Sequence, residues 1–315
     1  MSATSRRSAA SGQAVVSTRH AYLLLLSVIV LWGANWPIMK VGLESITPLW
    51  FSLSRLGMGA VTLFAVLAFT GRLQVPRRGD LPVLFSVSLL QMAGFLVFVN
   101  MALLDVEAGR AAILAYTTPL WVAPAAILLL GERVDARKAM GLALGLGGVV
   151  VLFNPLGFDW SDHAVVRGNA LLMLAALAWS VAILHVRAHR WVSSPLQLAP
   201  WQMMTASPLV LALALLFEGD ATIAWSAELV AILFYNGPIG TAFCFWAAVT
   251  VTRSLPAVST SLGFLGVPAA GLAASTAALG EPLTATLIAG FALLAGGLAL
   301  VNIADFAGGK RRKER

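Results

Sequence analysis

Leu31-Trp32-Gly33-Ala34-Asn35-Trp36-Pro37 stands in the middle of an apolar run, residues 21 to 43, that carries an amide and two indoles at its centre. A helix needs about 20 mostly apolar residues to cross a bilayer, so the run reads as a spanning segment with one polar face. A polar face at that depth is expected to meet another helix or a cavity rather than lipid. The fold follows from how often the pattern recurs. Nine further runs match it, at 48 to 70, 81 to 104, 108 to 130, 136 to 153, 168 to 187, 195 to 217, 227 to 252, 257 to 279 and 283 to 303. An all-α integral membrane protein with ten transmembrane helices is expected.

Composition agrees. Of 315 residues, 59% are hydrophobic and 11% charged, against roughly 45–50% and about 25% in an ordinary soluble domain. That much apolar surface cannot be hidden in one or two aqueous cores. The formal charge of +7 sits in loops and tails flanking the apolar runs, so no nucleic-acid partner is expected. The one cysteine, Cys244, lies inside an apolar run as a small core filler and excludes an intrachain disulfide. Ser5-Arg6-Arg7-Ser8 resembles a twin-arginine signal, but no apolar segment follows closely. Residues 1 to 20 therefore read as a tail, and the first run as a retained helix.

Basic residues resist translocation and stay in the cytoplasm, so they orient the chain. With the N-terminus inside, 17 of the 21 Lys and Arg residues fall on the inner side and three (Lys40, Arg110 and Arg167) on the outer side. Arg55 is left within a span. Adding or deleting one helix would strand later basic clusters outside, so both termini are expected in the cytoplasm, with 304 to 315 as a basic tail.

The second half echoes the first. A shift of 149 places Pro119 on Pro268, Gly131-Glu132 on Gly280-Glu281, Gly141 on Gly290, and Gly147-Gly148 on Gly296-Gly297. A shift of 147 places Trp32 on Trp179, Lys40 on Arg187 and Pro48 on Pro195. Residues 21 to 153 and 168 to 303 thus form two five-helix repeats joined by an outer loop, 154 to 167. An odd number of helices per repeat threads the two halves oppositely, the arrangement behind alternating access to a site at the repeat interface.

The 5+5 plan, the 31 to 37 stretch, Arg55 in helix 2, and the repeated Pro…Gly-Glu…Gly pattern (Pro119, Gly131-Glu132; Pro268, Gly280-Glu281) carry a family likeness. The chain resembles the EamA-type drug/metabolite transporter superfamily and, within it, the YddG-type exporters of aromatic and other neutral amino acids. The resemblance covers about residues 21 to 303. It implies a cavity lined by helices 1, 3, 4, 6, 8 and 9, export from the cell across its inner membrane, and a functional monomer.

The residues bear on substrate chemistry directly. Of the 14 acidic residues, nine fall at the outer side and five at the cytoplasmic side, none within a span away from its ends. A proton-coupled pump generally needs a titratable group in the membrane. Facilitated diffusion is therefore expected, with antiport through His185 as the alternative. Arg55 lies about 10 Å along its helix at ~1.5 Å per residue. It either meets a substrate carboxylate or orients helix 2 by binding carbonyls or a loop. One cation is too few for a phosphorylated substrate, whereas a zwitterion carries no net charge and asks only for polar groups and an apolar wall.

Candidate cavity residues are Trp32, Asn35, Gln91, Tyr116, Trp179, Tyr235 and Asn236, each of which could instead pack in the core. Pro119, Gly237, Pro238, Gly266 and Pro268 could hinge a gate or simply fix a kink. The histidines His20, His163, His185 and His189 have no ligand spacing with membrane carboxylates, so neither metal, cofactor nor enzymatic activity is expected. A multidrug or quaternary-amine exporter with proton antiport is the rival. Aromatic faces would serve a lipophilic cation, but it would want a membrane carboxylate.

Overall fold

The computed structural model describes residues 16–118, 120–122, 125, 136–153, 161–254, 264 and 266–313. Pro119, Pro124, Glu132 and residues 154–160 of the 154–167 connection lie outside the described residues.

Ten helical segments follow one another among the described residues. They are α1 (Thr18–Gly42), α2 (Pro48–Phe69), α3 (Leu81–Ser86, Val87–Gly94 and Phe95–Ala102 in one run), α4 (Ala108–Ala115), α5 (Ala136–Phe153), α6 (His163–Ala188), α7 (Pro195–Phe217), α8 (Ala227–Phe234, Tyr235–Phe243 and Cys244–Ser254 in one run), α9 (Gly266–Leu279) and α10 (Ala285–Lys313). The α1, α2, α3, α6, α7 and α8 runs are long and apolar enough to cross a membrane. Large apolar side chains such as Val61, Phe69 and Leu216 stand exposed around the bundle, as lipid contact requires.

The helix ends are written locally. Ser194 and Gln197 form a reciprocal capping box before Pro195 at the start of α7, and the Asp162 carboxylate accepts from the Ala164 and Val165 amides. That cap starts α6 at His163, five residues ahead of the expected span. Gly71, Gly219 and Gly280 take positive φ just past α2, α7 and α9, a conformation that favours glycine at helix C-termini. At the other end of the chain α10 runs on to Lys313, so most of the expected tail is helix.

Two departures from regular winding matter for the site. Residues 87–94 in α3 and 235–243 in α8 are π-helical, at matching places in the two halves. In α4 the regular helix stops at Ala115, and Tyr116 and Thr117 form a turn. A proline at 119 cannot donate to the carbonyl four residues earlier, which explains a break there.

Among the described glycines, the closest approach of one helix backbone to another is between α5 and α10. A Cβ at Gly148 would stand 2.8 Å from the Gly290 carbonyl oxygen, and one at Gly297 only 2.5 Å from that of Gly141. Since 148 matches 297 and 141 matches 290 under the same shift, the seam is self-complementary.

Helix starts are tied across the bundle by carboxylates. Glu218, at the end of α7, accepts from Thr47 Oγ1 and from the Leu49 and Trp50 amides at the start of α2. Asp80, ahead of α3, accepts from the Val192 and Ser193 amides at 3.0 and 2.8 Å, just before α7. Glu281 accepts from the Ala108 and Gly109 amides at 2.7 and 2.8 Å. An anion at a helix N-terminus is favoured by the exposed amides and the helix dipole. Glu281→Gln keeps an acceptor but loses the charge, and is expected to cost about 1–2 kcal/mol. A thermal midpoint equal to wild type would remove that role.

Candidate functional site

Between the two halves lies a cavity of about 480 Å³, within the roughly 300–1,000 Å³ usual for small-molecule sites. Its lining runs from Met39 and Val99 at one end to Trp191, in the connection between α6 and α7, and Pro195, the first residue of α7, at the other. On the Met39 side two basic residues tie α1 and α6 to the connection between α3 and α4. The Lys40 ammonium donates to the Leu103 and Val106 carbonyls, and Arg167 pairs with Asp105 at 2.9 Å.

Nine of the lining residues are aromatic. Trp32 and Trp179, matched by the repeat, meet edge to face at 6.1 Å between ring centres. Phe245 packs against both, at 5.4 and 5.6 Å, and Phe95 lies 4.5 Å from Trp179. Three of these four pairs are edge to face and the Trp179–Phe245 pair is tilted, arrangements that aromatic rings prefer to a face-to-face stack. Trp32 is further held by its indole N–H, which donates to the Gly240 carbonyl at 2.9 Å.

The polar groups are few. Asn35, Gln91, Tyr116, Thr118 and Gln202 line the cavity with Arg55. The resemblance implied that helix 2 stands apart from the cavity. Instead α2 contributes Arg55, and α7 contributes Ala199 and Gln202. Arg55 is 2% exposed; its Nε donates to Thr241 Oγ1 at 3.1 Å and its Nη1 to Met39 Sδ at 2.9 Å. Both acceptors are uncharged, and the bond to Thr241 joins α2 to α8. Among the described residues no carboxylate lines the cavity or pairs with this guanidinium. Asn35 is equally buried, and its Oδ1 has no hydrogen-bond partner.

Of the sequence-derived candidates, Trp32, Asn35, Gln91, Tyr116 and Trp179 therefore come together around one cavity with Arg55. Tyr235 and Asn236 do not line it. The Tyr235 hydroxyl donates to the Leu31 carbonyl at 2.7 Å, and the fully buried Asn236 donates back to Ile232 O at 3.1 Å within its own helix. Donation to a helix carbonyl is the alternative to facing a cavity for a polar group at this depth. His185 is bonded to Ser86 Oγ at 2.7 Å, outside the lining.

The hinge candidates sit as follows. Gly237 abuts Met58 of α2, Gly266 faces Ile29 of α1, and Pro268 is buried in α9. Pro238 borders a shallow surface groove between α2 and α8, and Pro119 lies outside the described residues. Sequence reasoning missed Gln202, Phe95 and Phe245. Gln202 carried the same signal as Gln91, an amide inside a span.

The likeness to known proteins runs along nearly the whole chain. A transporter of Bacillus subtilis (strain 168), YoaV, whose activity is uncharacterized, is 28% identical over 274 residues, 87% of this chain and 94% of that protein. A probable amino-acid metabolite efflux pump of Salmonella typhimurium (strain LT2) is 26% identical over 92% of this chain and 97% of its own length. A probable terminal-alkyne amino-acid exporter of Streptantibioticus cattleyicolor is 28% identical over 88% of this chain and 92% of its own. A crystal structure 22% identical in sequence superposes with a TM-score of 0.64, covering 91% of this chain and 98% of that one, and so shares the fold. These relatives are transporters and efflux pumps, not enzymes. The EamA-like transporter family model matches residues 19–154 and again 166–303, and the chain belongs to that family of multi-pass membrane transporters.

Proposed function

We propose that the protein is a secondary exporter of neutral, zwitterionic amino acids, aromatic ones foremost, working by alternating access. Ten spanning helices form two inverted repeats with both termini in the cytoplasm. The self-complementary seam of α5 and α10 and the matched π-helical segments of α3 and α8 support that plan. With this orientation Trp191 and Pro195 lie at the cytoplasmic face, and the cavity is the one that loads substrate for export.

One observation carries the reading: an aromatic cavity containing a single buried cation and, among the described residues, no carboxylate. Arg55 answers the substrate carboxylate, Asn35, Gln91 and Gln202 answer its other polar groups, and the Trp32–Trp179 wall takes the side chain. A lipophilic cation would meet Arg55 with like charge in a low-dielectric space, which counts against the quaternary-amine alternative.

The test is counterflow in proteoliposomes with aromatic and aliphatic amino acids, a nucleotide sugar, a phosphosugar and a quaternary amine, with and without a pH gradient. Saturable exchange of the amino acids, nearly unchanged when the gradient is collapsed, is expected. Movement of the phosphorylated compounds alone, or a strict proton requirement, would overturn the proposal. In the same assay Trp179→Ala and Gln91→Leu should each lower transport by about tenfold with expression intact, in line with losing ~1–1.5 kcal/mol of ring packing or hydrogen bonding. Wild-type rates in both would take those residues out of the site.

A further inference from the structure

The two charged ends of an amino acid would be met very unequally. Arg55 offers a full charge with planar, forked donors suited to a carboxylate. It is buried, and its described partners, Thr241 Oγ1 and Met39 Sδ, neutralise nothing. An ammonium group has no such partner among the lining residues described. It finds the amide oxygen of Asn35, which is buried and unpartnered.

The two groups lie against the same stretch of α8. Asn35 Oδ1 is 3.4 Å from where a Cβ on Gly240 would stand, and Arg55 is bonded to Thr241, the next residue. Both therefore work against the π-helical stretch of α8. Hydrogen bonds with both partners charged are roughly twice as strong as neutral ones, and bringing an ammonium out of water costs several kcal/mol that one amide oxygen offsets only in part.

We propose, resting on the reading of this cavity as the transport site, that the protein selects its substrate by the carboxylate, and so also carries aromatic monocarboxylates that have no amino group. Such an acid forgoes the Asn35 contact but is spared the desolvation of an ammonium. An aromatic amine without a carboxylate places a second cation beside Arg55 and is excluded.

The two substrate classes differ in how they respond to voltage. A zwitterion moves no net charge, whereas a monocarboxylate carries one negative charge per cycle and is driven out of a compartment that is negative inside.

Phenylalanine, 3-phenylpropanoate and phenylethylamine, which differ only in their head groups, are the probes. Each is measured for uptake into proteoliposomes and protein-free liposomes under a potassium diffusion potential of either sign. Protein-dependent 3-phenylpropanoate flux is expected, accumulating about tenfold for each ~59 mV of inside-positive potential, as a single charge requires. Phenylalanine should equilibrate without accumulation, and phenylethylamine should neither move nor compete. Asn35→Leu should weaken phenylalanine transport about tenfold and leave 3-phenylpropanoate within twofold.

Transport of phenylalanine with no protein-dependent flux of 3-phenylpropanoate overturns this inference and leaves the amino-acid reading standing. Flux of 3-phenylpropanoate without phenylalanine overturns the amino-acid reading and upholds this one. If Asn35→Leu does not fold, the voltage response of the wild type decides alone.

Discussion

Arg55→Met is expected to fold at least as well as the wild type and to transport almost nothing. The guanidinium is buried among neutral partners, and a buried charge without a counter-ion costs stability, so an apolar side chain of similar length removes a penalty. The thermal midpoint should stay level or rise. Transport should fall by about 100-fold or more, because losing a charge-assisted carboxylate contact is worth on the order of 3 kcal/mol and each 1.4 kcal/mol is a factor of ten. A stabilised but inactive variant is the signature of a residue kept for function against the interest of the fold. Arg55→Lys should recover part of the activity, since a point charge remains but the fork is lost. Activity within a few-fold of wild type in Arg55→Met, measured on protein of equal amount, would show that the cation only shapes α2.

Gly297→Leu is expected to prevent assembly. Its first side-chain atom would stand 2.5 Å from the Gly141 carbonyl oxygen and 2.6 Å from the Gly145 nitrogen. Both are backbone atoms of α5 and cannot rotate away. Overpacking usually costs about 1–3 kcal/mol, and more where nothing can yield. Here the two helices would have to separate, and close approach through small residues is what holds helices together in lipid. Gly296 supplies the control, because a Cβ there meets nothing within 4 Å. Gly296→Leu should leave the yield of folded monomer in detergent near wild type while Gly297→Leu abolishes it. Similar yields for the two would mean that the seam is not tight.

Much of this was legible in the chain because lipid imposes simple rules. Six of the runs chosen by length recur as helices long and apolar enough to cross a membrane, and Trp32 and Trp179 were found because one shift matches them. They prove to touch. Arg55 stood out as a charge where charges are costly.

Other features were invisible for equally physical reasons. Tyr235 and Asn236 were expected in the cavity because a polar group is costly at that depth, but each donates to a helix carbonyl instead, Leu31 O and Ile232 O, and no sequence pattern tells the two outcomes apart. Phe95 and Phe245 join the wall only because α3 and α8 converge on Trp179, and no spacing within either helix announces that. Gln202 was passed over because the family likeness, not the residue, argued against helix 7.

The carboxylate ties carry one more consequence. Glu218 and Glu281, from the second half, terminate α2 and α4 of the first, while Asp80 of the first half serves the approach to α7 of the second. Each polypeptide half thus holds the stoppers for its counterpart's open amides. Severed between residues 154 and 166 and made alone, the first fragment would enter the bilayer with bare starts on α2 and α4 and the second without the tie at residues 192 and 193, and both would be cleared by proteolysis; made together, the two fragments would rescue each other.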